Sequence, residues 1–403
     1  MTQSKSSGSK MIMFLILLVS AICVSCSQLK VSALMAPTME LLNVDATQAA
    51  MLNSLFTVAG IVLSIPGAAI MGKTGSKNML LILMGTLAVG NVIGAMTDDF
   101  TIMMASRIIE GISYALIITV GVSLINMWFT GSMVGTLTGV YNTFAAAANF
   151  ITMNGALALY NSTGDIKIVW WVLAAASAVC FVLVFLVIKE PEQAVSAETG
   201  QIEKPSAGEA LSDPALLITS VSMLCLAYVL FSIMTCYPQI FAYYGVDTTT
   251  ANFYASLNGL FGIPVCVISG IICGKLGKPF HYAIVGAIGC ALMCFAIPYL
   301  GPSTYVIHVL ASAIFPGGMV MTAMFIFTPM LAKRPANIPM YMGVLNTLYY
   351  IGVFASTPLT TALSDGGTNW VTPSLLLTAA SIVTLVCTFI GLRIYTARQK
   401  ATA

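Results

Sequence analysis

The chain alternates between long apolar runs and short polar turns, and the runs are continuous rather than alternating residue by residue. A membrane β-strand needs about ten residues of alternating hydrophobicity, whereas a helix crossing ~30 Å of hydrocarbon needs ~20 unbroken apolar residues at 1.5 Å each. The pattern therefore predicts helices. Six runs fill the first half: Met11 to Leu42, Thr47 to Met71, Met79 to Met96, Phe100 to Met127, Met133 to Tyr160 and Ile168 to Ile188. Six more follow: Pro214 to Tyr243, Thr250 to Cys273, His281 to Leu300, Thr304 to Leu331, Ile338 to Leu363 and Thr372 to Ile394. The expected fold class is all-α and integral to the membrane, with twelve spanning helices. The expected division is a short N-terminal segment (1–10), a six-helix bundle (11–188), a polar linker (189–213), a second six-helix bundle (214–395) and a tail (396–403).

Composition sharpens this picture. Only 7% of the 403 residues are charged and 58% are hydrophobic. A soluble domain carries about 25% charged residues, so most of this surface faces lipid. A net charge of +2 supplies no field for nucleic acid, which is excluded as a partner. The ten Cys lie scattered in apolar runs and suggest neither a disulfide framework nor a metal site. The first run has no small-residue cleavage signal and is read as a retained span. Thirteen of the sixteen Lys and Arg fall on the side of the N-terminus, Lys167 falls on the other, and Lys30 and Arg107 lie within spans. Positive charge is retained in the cytoplasm, so both termini and the linker are expected there, in a cell (inner or plasma) membrane protein.

The two halves echo each other at an offset near 202 residues. Gly72-Lys73-Thr74-Gly75 follows the second run and Gly274-Lys275-Leu276-Gly277 follows the eighth. Ser54-Leu55 with Gly60-Ile61 matches Ser256-Leu257 with Gly262-Ile263, and Gly139-Val140-Tyr141-Asn142-Thr143 matches Gly343-Val344-Leu345-Asn346-Thr347.

With two repeats of six spans, the chain resembles the major facilitator superfamily of secondary transporters over essentially its whole length. The family's Gly-x-x-x-Asp-Arg/Lys-x-Gly-Arg/Lys loop is met in part by Ala68 through Lys77 and by Gly270 through Lys278, with Gly72 and Gly274 standing where the family has Asp. Arg107-Ile108-Ile109-Glu110-Gly111-Ile112-Ser113 is similar to its Arg-x-x-x-Gly-x-Gly, and Met127-Trp128-Phe129 with Gly135 resembles the Trp-Phe-Pro loop of organic-anion and cyanate permeases, without the Pro. The resemblance implies two bundles with a substrate site between them, gating loops at Lys73, Gly75, Lys275 and Gly277, alternating access, and no cofactor. No Pro lies between Asn142 and Gly155, where drug/proton antiporters of the family carry Gly-Pro-Gly-Gly, so efflux of a drug or metabolite ranks second.

A charge near the bilayer centre costs roughly 2.5 to 3.5 kcal/mol on insertion scales, so each needs a wet cavity or a partner. Arg107 and Glu110 share a helix face at i, i+3, close to the midplane, and Lys30 lies well along the first span. Together they leave one positive charge, which a small organic anion would complete. Arg107 either grips that anion or pairs with Glu110. Lys30 either faces the cavity or snorkels to the interface. Glu110 is either a fixed counter-ion or a proton carrier. Asn142 and Asn346 serve substrate or helix packing, and Tyr228, Asn258, Tyr349 and Tyr350 offer an uncharged, aromatic wall in the second half. His308 reads as interfacial or packing. No catalytic or metal-ligand constellation is present, and the expected partners are an anionic small molecule, lipid and protons, with the protein a monomer.

Overall fold

The computed structural model describes residues 2–44, 46–189, 206–365 and 367–402, and the regular structure among them is helical. In chain order the α-helices are α1 (Thr2–Ala33), α2 (Met35–Leu42), α3 (Ala46–Thr74), α4 (Ser76–Ala95), α5 (Phe100–Trp128), α6 (Ser132–Thr163), α7 (Lys167–Val187), α8 (Ala207–Leu211), α9 (Pro214–Tyr243), α10 (Thr248–Leu276), α11 (Pro279–Ala296), α12 (Tyr305–Ser312), α13 (Thr322–Leu331), α14 (Ile338–Leu363) and α15 (Val371–Thr402). A π-helical stretch, Ala313–Met321, joins α12 to α13. Among the described residues, eleven helical stretches are long and apolar enough to cross a membrane. The remaining predicted span falls on α6, whose 32 residues suffice in length. Asn142, Asn149 and Asn154 lower its apolar density below that of its neighbours.

Two predicted runs prove to be interrupted. The first run breaks at Leu34, between α1 and α2. Pro37 accounts for this: it has no N–H for the carbonyl four residues back, and its ring crowds that carbonyl. The tenth run holds the π-helical stretch around Pro316-Gly317-Gly318, where a missing donor and two flexible residues loosen the α ladder. Within the polar linker, 190–205 lies outside the described residues, and its far end forms α8 before Asp213 caps α9 by accepting from Ala215 N. Gly75 and Gly277, the matched turn glycines, both have positive φ, 88° and 62°. One begins the turn into α4 and the other ends α10, which explains why both loops need Gly at that place.

The chain forms two compact units. The first holds α1 to α5, α6 from Ala147 onward, α7, and the segment Arg334–Gly343 that opens α14. Here α5 packs between α3 and α4, and α4 lies along α7. Gly90 and Gly94 of α4 permit the close approach. A Cβ at Gly90 would stand 2.5 Å from Glu110 Cγ, and one at Gly94 would stand 2.5 Å from the Trp170 indole nitrogen.

The second unit holds Thr130–Ala146, including the first half of α6, then Ala207–Lys333 and the chain from Val344. Here α15 packs on α9 and α11, and the π-helical stretch packs on α10 and α11. Gly135 and Gly139 of α6 face Gly274 and Gly270 of α10 almost backbone to backbone; a Cβ at Gly139 would lie 2.5 Å from Gly270 Cα. Tyr237, Phe241, Met293, Tyr305 and Trp370 form part of an apolar core.

A buried ion cluster as candidate functional site

Asp99 caps α5 by accepting from Ile102 N at 2.9 Å, which sets the register that brings Arg107 and Glu110 onto the buried face one turn apart. Lys30 reaches them from α1 and Asn91 from α4. All four side chains are fully buried.

Glu110 bridges the two cations. Its Oε1 and Oε2 accept from Lys30 Nζ at 2.8 and 2.9 Å, and Oε2 accepts from Arg107 Nη1 at 2.6 Å. Lys30 also donates to Asn91 Oδ1 at 2.6 Å, and its ammonium sits 4.5 Å from the centre of the Trp170 ring. Arg107 donates to the carbonyls of Ser27 at 2.8 Å, Gln28 at 3.1 Å and Leu52 at 3.3 Å, and lies 4.4 Å over the Phe56 ring. Desolvating one such ion costs several kcal/mol, and only a cage with this density of charge-assisted bonds offsets it. With all three groups ionised, two cations face one carboxylate and the cluster carries one positive charge.

The snorkelling alternative for Lys30 does not occur: its Nζ points inward to Glu110 rather than outward to headgroups. Arg107 and Glu110 do pair, through one ion-pair contact of 2.6 Å, while Arg107 also pins α5 to main-chain oxygens of α1 and α3.

The remaining candidates are buried in separate contacts. Asn142 donates to Thr322 Oγ1 at 3.4 Å, and its own amide oxygen is buried without a hydrogen-bond partner. Asn258 donates to Ser312 Oγ at 2.7 Å, and the Tyr228 hydroxyl meets Thr360 Oγ1 at 3.2 Å. Tyr349 packs edge-on against Phe231 and Tyr350, and Asn346 is fully buried. His308 is a buried packing residue rather than an interfacial one: its Nδ1 contacts the Tyr237 hydroxyl at 2.9 Å and its Nε2 contacts the Met293 carbonyl at 3.0 Å. Lys73 and Lys275 lie in the last turns of α3 and α10, next to the turn glycines. Among the described residues no group of His, Cys, Asp or Glu is placed to hold a metal ion.

Sequence reasoning missed Asn91, Trp170 and Phe56. A signal for Asn91 was present: Gly90-Asn91-Val92-Ile93-Gly94 is a small-x-x-x-small motif, which marks a tight helix contact and so places Asn91 at its edge. No comparable signal exists for Trp170 or Phe56, since an aromatic in an apolar run looks the same whether it meets a cation or a lipid.

A family model described as Major Facilitator Superfamily matches residues 13–357. No curated protein matches the chain by sequence. Among solved structures, the human organic anion transporter MFSD10 (TETRAN) is similar with a TM-score of 0.73 at 13% identity, covering 94% of this chain and 99% of that one. The E. coli fucose:proton symporter FucP is similar in two crystal structures. One has a TM-score of 0.76 at 15% identity, and the other, in the outward conformation, 0.75 at 14%; each covers 95% of this chain and 99% of that one.

Proposed function

The chain belongs to the Major Facilitator Superfamily, and from that premise we propose that it is a secondary active transporter carrying a small organic anion of the carboxylate type, by alternating access. The observation that supports this is the charge of the buried cluster, where Lys30 and Arg107 share the single carboxylate of Glu110. A buried charge excess is costly, and a cargo carboxylate that joins the cluster removes it. The planar fork of Arg107 suits two-point binding of such a group, and Lys30 supplies a second point charge. Glu110 then competes with cargo for both cations. Cargo binding that frees Glu110 gives it a place to take up a proton, so the same geometry serves proton coupling or anion exchange. The likeness to an organic anion transporter agrees with this reading, at the level of fold.

One observation favours a second reading, transport of an uncharged metabolite or drug: both cations are already caged by acceptors from the protein itself, leaving cargo contacts to residues such as Asn142, whose amide oxygen is unpaired. Uptake of labelled organic acids and of a neutral sugar into proteoliposomes, with and without a pH gradient, separates the two. Saturable uptake of carboxylates is expected. Uptake of the neutral sugar alone overturns the anion reading, and anion uptake indifferent to the gradient removes the proton from the cycle.

A further inference from the structure

Lys30 has three N–H donors, and its shortest hydrogen bond goes to a neutral oxygen: Asn91 Oδ1 at 2.6 Å, against 2.8 and 2.9 Å to the two oxygens of Glu110. The Asn91 amide is held in that orientation. Its Nδ2 donates to the Leu87 carbonyl at 2.8 Å and to Ser27 Oγ at 3.0 Å. A carbonyl only accepts, so turning the amide over would set oxygen against oxygen at Leu87 and present Lys30 with a donor. Asn91 is fully buried.

The two cations therefore have separate neutral supports. Lys30 is held by Asn91 and covered by the Trp170 ring, and Arg107 is held by three main-chain carbonyls and the Phe56 ring. Glu110 alone is common to both. When Glu110 lets go of one cation, that cation keeps its neutral partners and stays in place. The Trp170 indole N–H, on the ring that covers Lys30, is buried without a hydrogen-bond partner and packs against Gly94 of α4.

We propose that Asn91 is a specificity-determining residue, whose neutral oxygen occupies the place of a second carboxylate and so keeps the cluster one positive charge in excess, matched to a cargo bearing a single carboxylate. This rests on the anion-transport reading above. An acidic side chain at this place would still offer Lys30 an oxygen, would lose the donor that meets the Leu87 carbonyl, and would cancel the excess, leaving nothing for a monoanion to complete.

The test uses the full chain in proteoliposomes, with labelled lactate as the monoanion, succinate as the dianion and fucose as the neutral probe. Asn91→Asp brings the cluster to zero net charge, and kcat/KM for lactate is expected to fall by about tenfold or more, the effect of one lost charge interaction. Asn91→Asp with Glu110→Gln moves the carboxylate from α5 to α4 and restores the excess of one. This double variant is expected to recover lactate binding, read as the lactate concentration that half-raises its thermal unfolding midpoint, to within a few-fold of the wild type, which a merely structural role for Asn91 would not allow. Lactate uptake by Asn91→Asp at the wild-type rate overturns the proposal, as does failure of the double variant to recover when its thermal unfolding matches that of Asn91→Asp. A wild type that carries fucose and neither acid overturns the anion reading itself, and the charge role of Asn91 with it; a wild type that prefers succinate leaves the anion reading standing and overturns the single-carboxylate match.

Discussion

Glu110 is where the cost of burying charge is settled residue by residue. Replacing it with Gln leaves Lys30 and Arg107 as two uncompensated cations at full burial, and breaking a buried pair in this way destabilises by about 3 to 5 kcal/mol. Thermal unfolding in detergent is expected to show Glu110→Gln as the least stable single change in the cluster, and added organic anion is expected to stabilise it more than the wild type. Arg107→Gln behaves differently. Lys30 and Glu110 remain a neutral pair, and the carbonyls of Ser27, Gln28 and Leu52 keep their helix N–H partners, so the fold is retained while anion uptake is lost. Uptake unchanged in Arg107→Gln would remove this residue from the cargo path. At this scale the i, i+3 pair of Arg107 and Glu110 was legible from spacing alone. That Lys30, eighty residues earlier, joins Glu110 was not, because periodicity within one helix carries no information about which face of another it meets.

Between elements, close approach rests on small residues. Gly90 and Gly94 let α4 lie against α5 and α7, and Gly139 and Gly270 let the first half of α6 touch α10. A larger side chain at any of these must push backbone or a packed ring, at a cost of roughly 1 to 3 kcal/mol. Gly94→Leu is expected to lower the unfolding midpoint and to displace Trp170 from Lys30, read as a change in tryptophan emission. Gly139→Val is expected to lower it too, without touching the ion cluster and so without changing cargo charge preference. A preference altered by Gly139→Val would show that the two contacts are coupled. The helix breaks at Leu34 and around Pro316 follow from Pro chemistry written in the chain, yet hydropathy alone ran straight through both, since Pro and Gly are tolerated inside membrane helices.

For the whole molecule, the distribution of Lys and Arg predicts its orientation. Cysteine placed at Lys77 is expected to react with a membrane-impermeant maleimide only after cells are permeabilised. Cysteine at Asp98, which pairs at 2.6 Å with Lys167 on the side expected to face outward, is expected to react in intact cells. The reverse pattern would invert the topology. The charged cluster lies entirely in the first unit, while the spans of the second bury groups such as Asn258, His308 and Tyr228.

Fold class and the presence of embedded charge were determined by the sequence, because each depends on local quantities: run length, residue type and spacing along one helix. The pairing of Lys30 with Glu110, the shielding of both cations by Asn91, Trp170 and Phe56, and the sharing of α6 and α14 between the two units were decided only in the tertiary structure. The physical reason is that a buried ion is stabilised by whichever neutral oxygens and ring faces converge on it from separate helices, and that convergence is a property of packing in three dimensions.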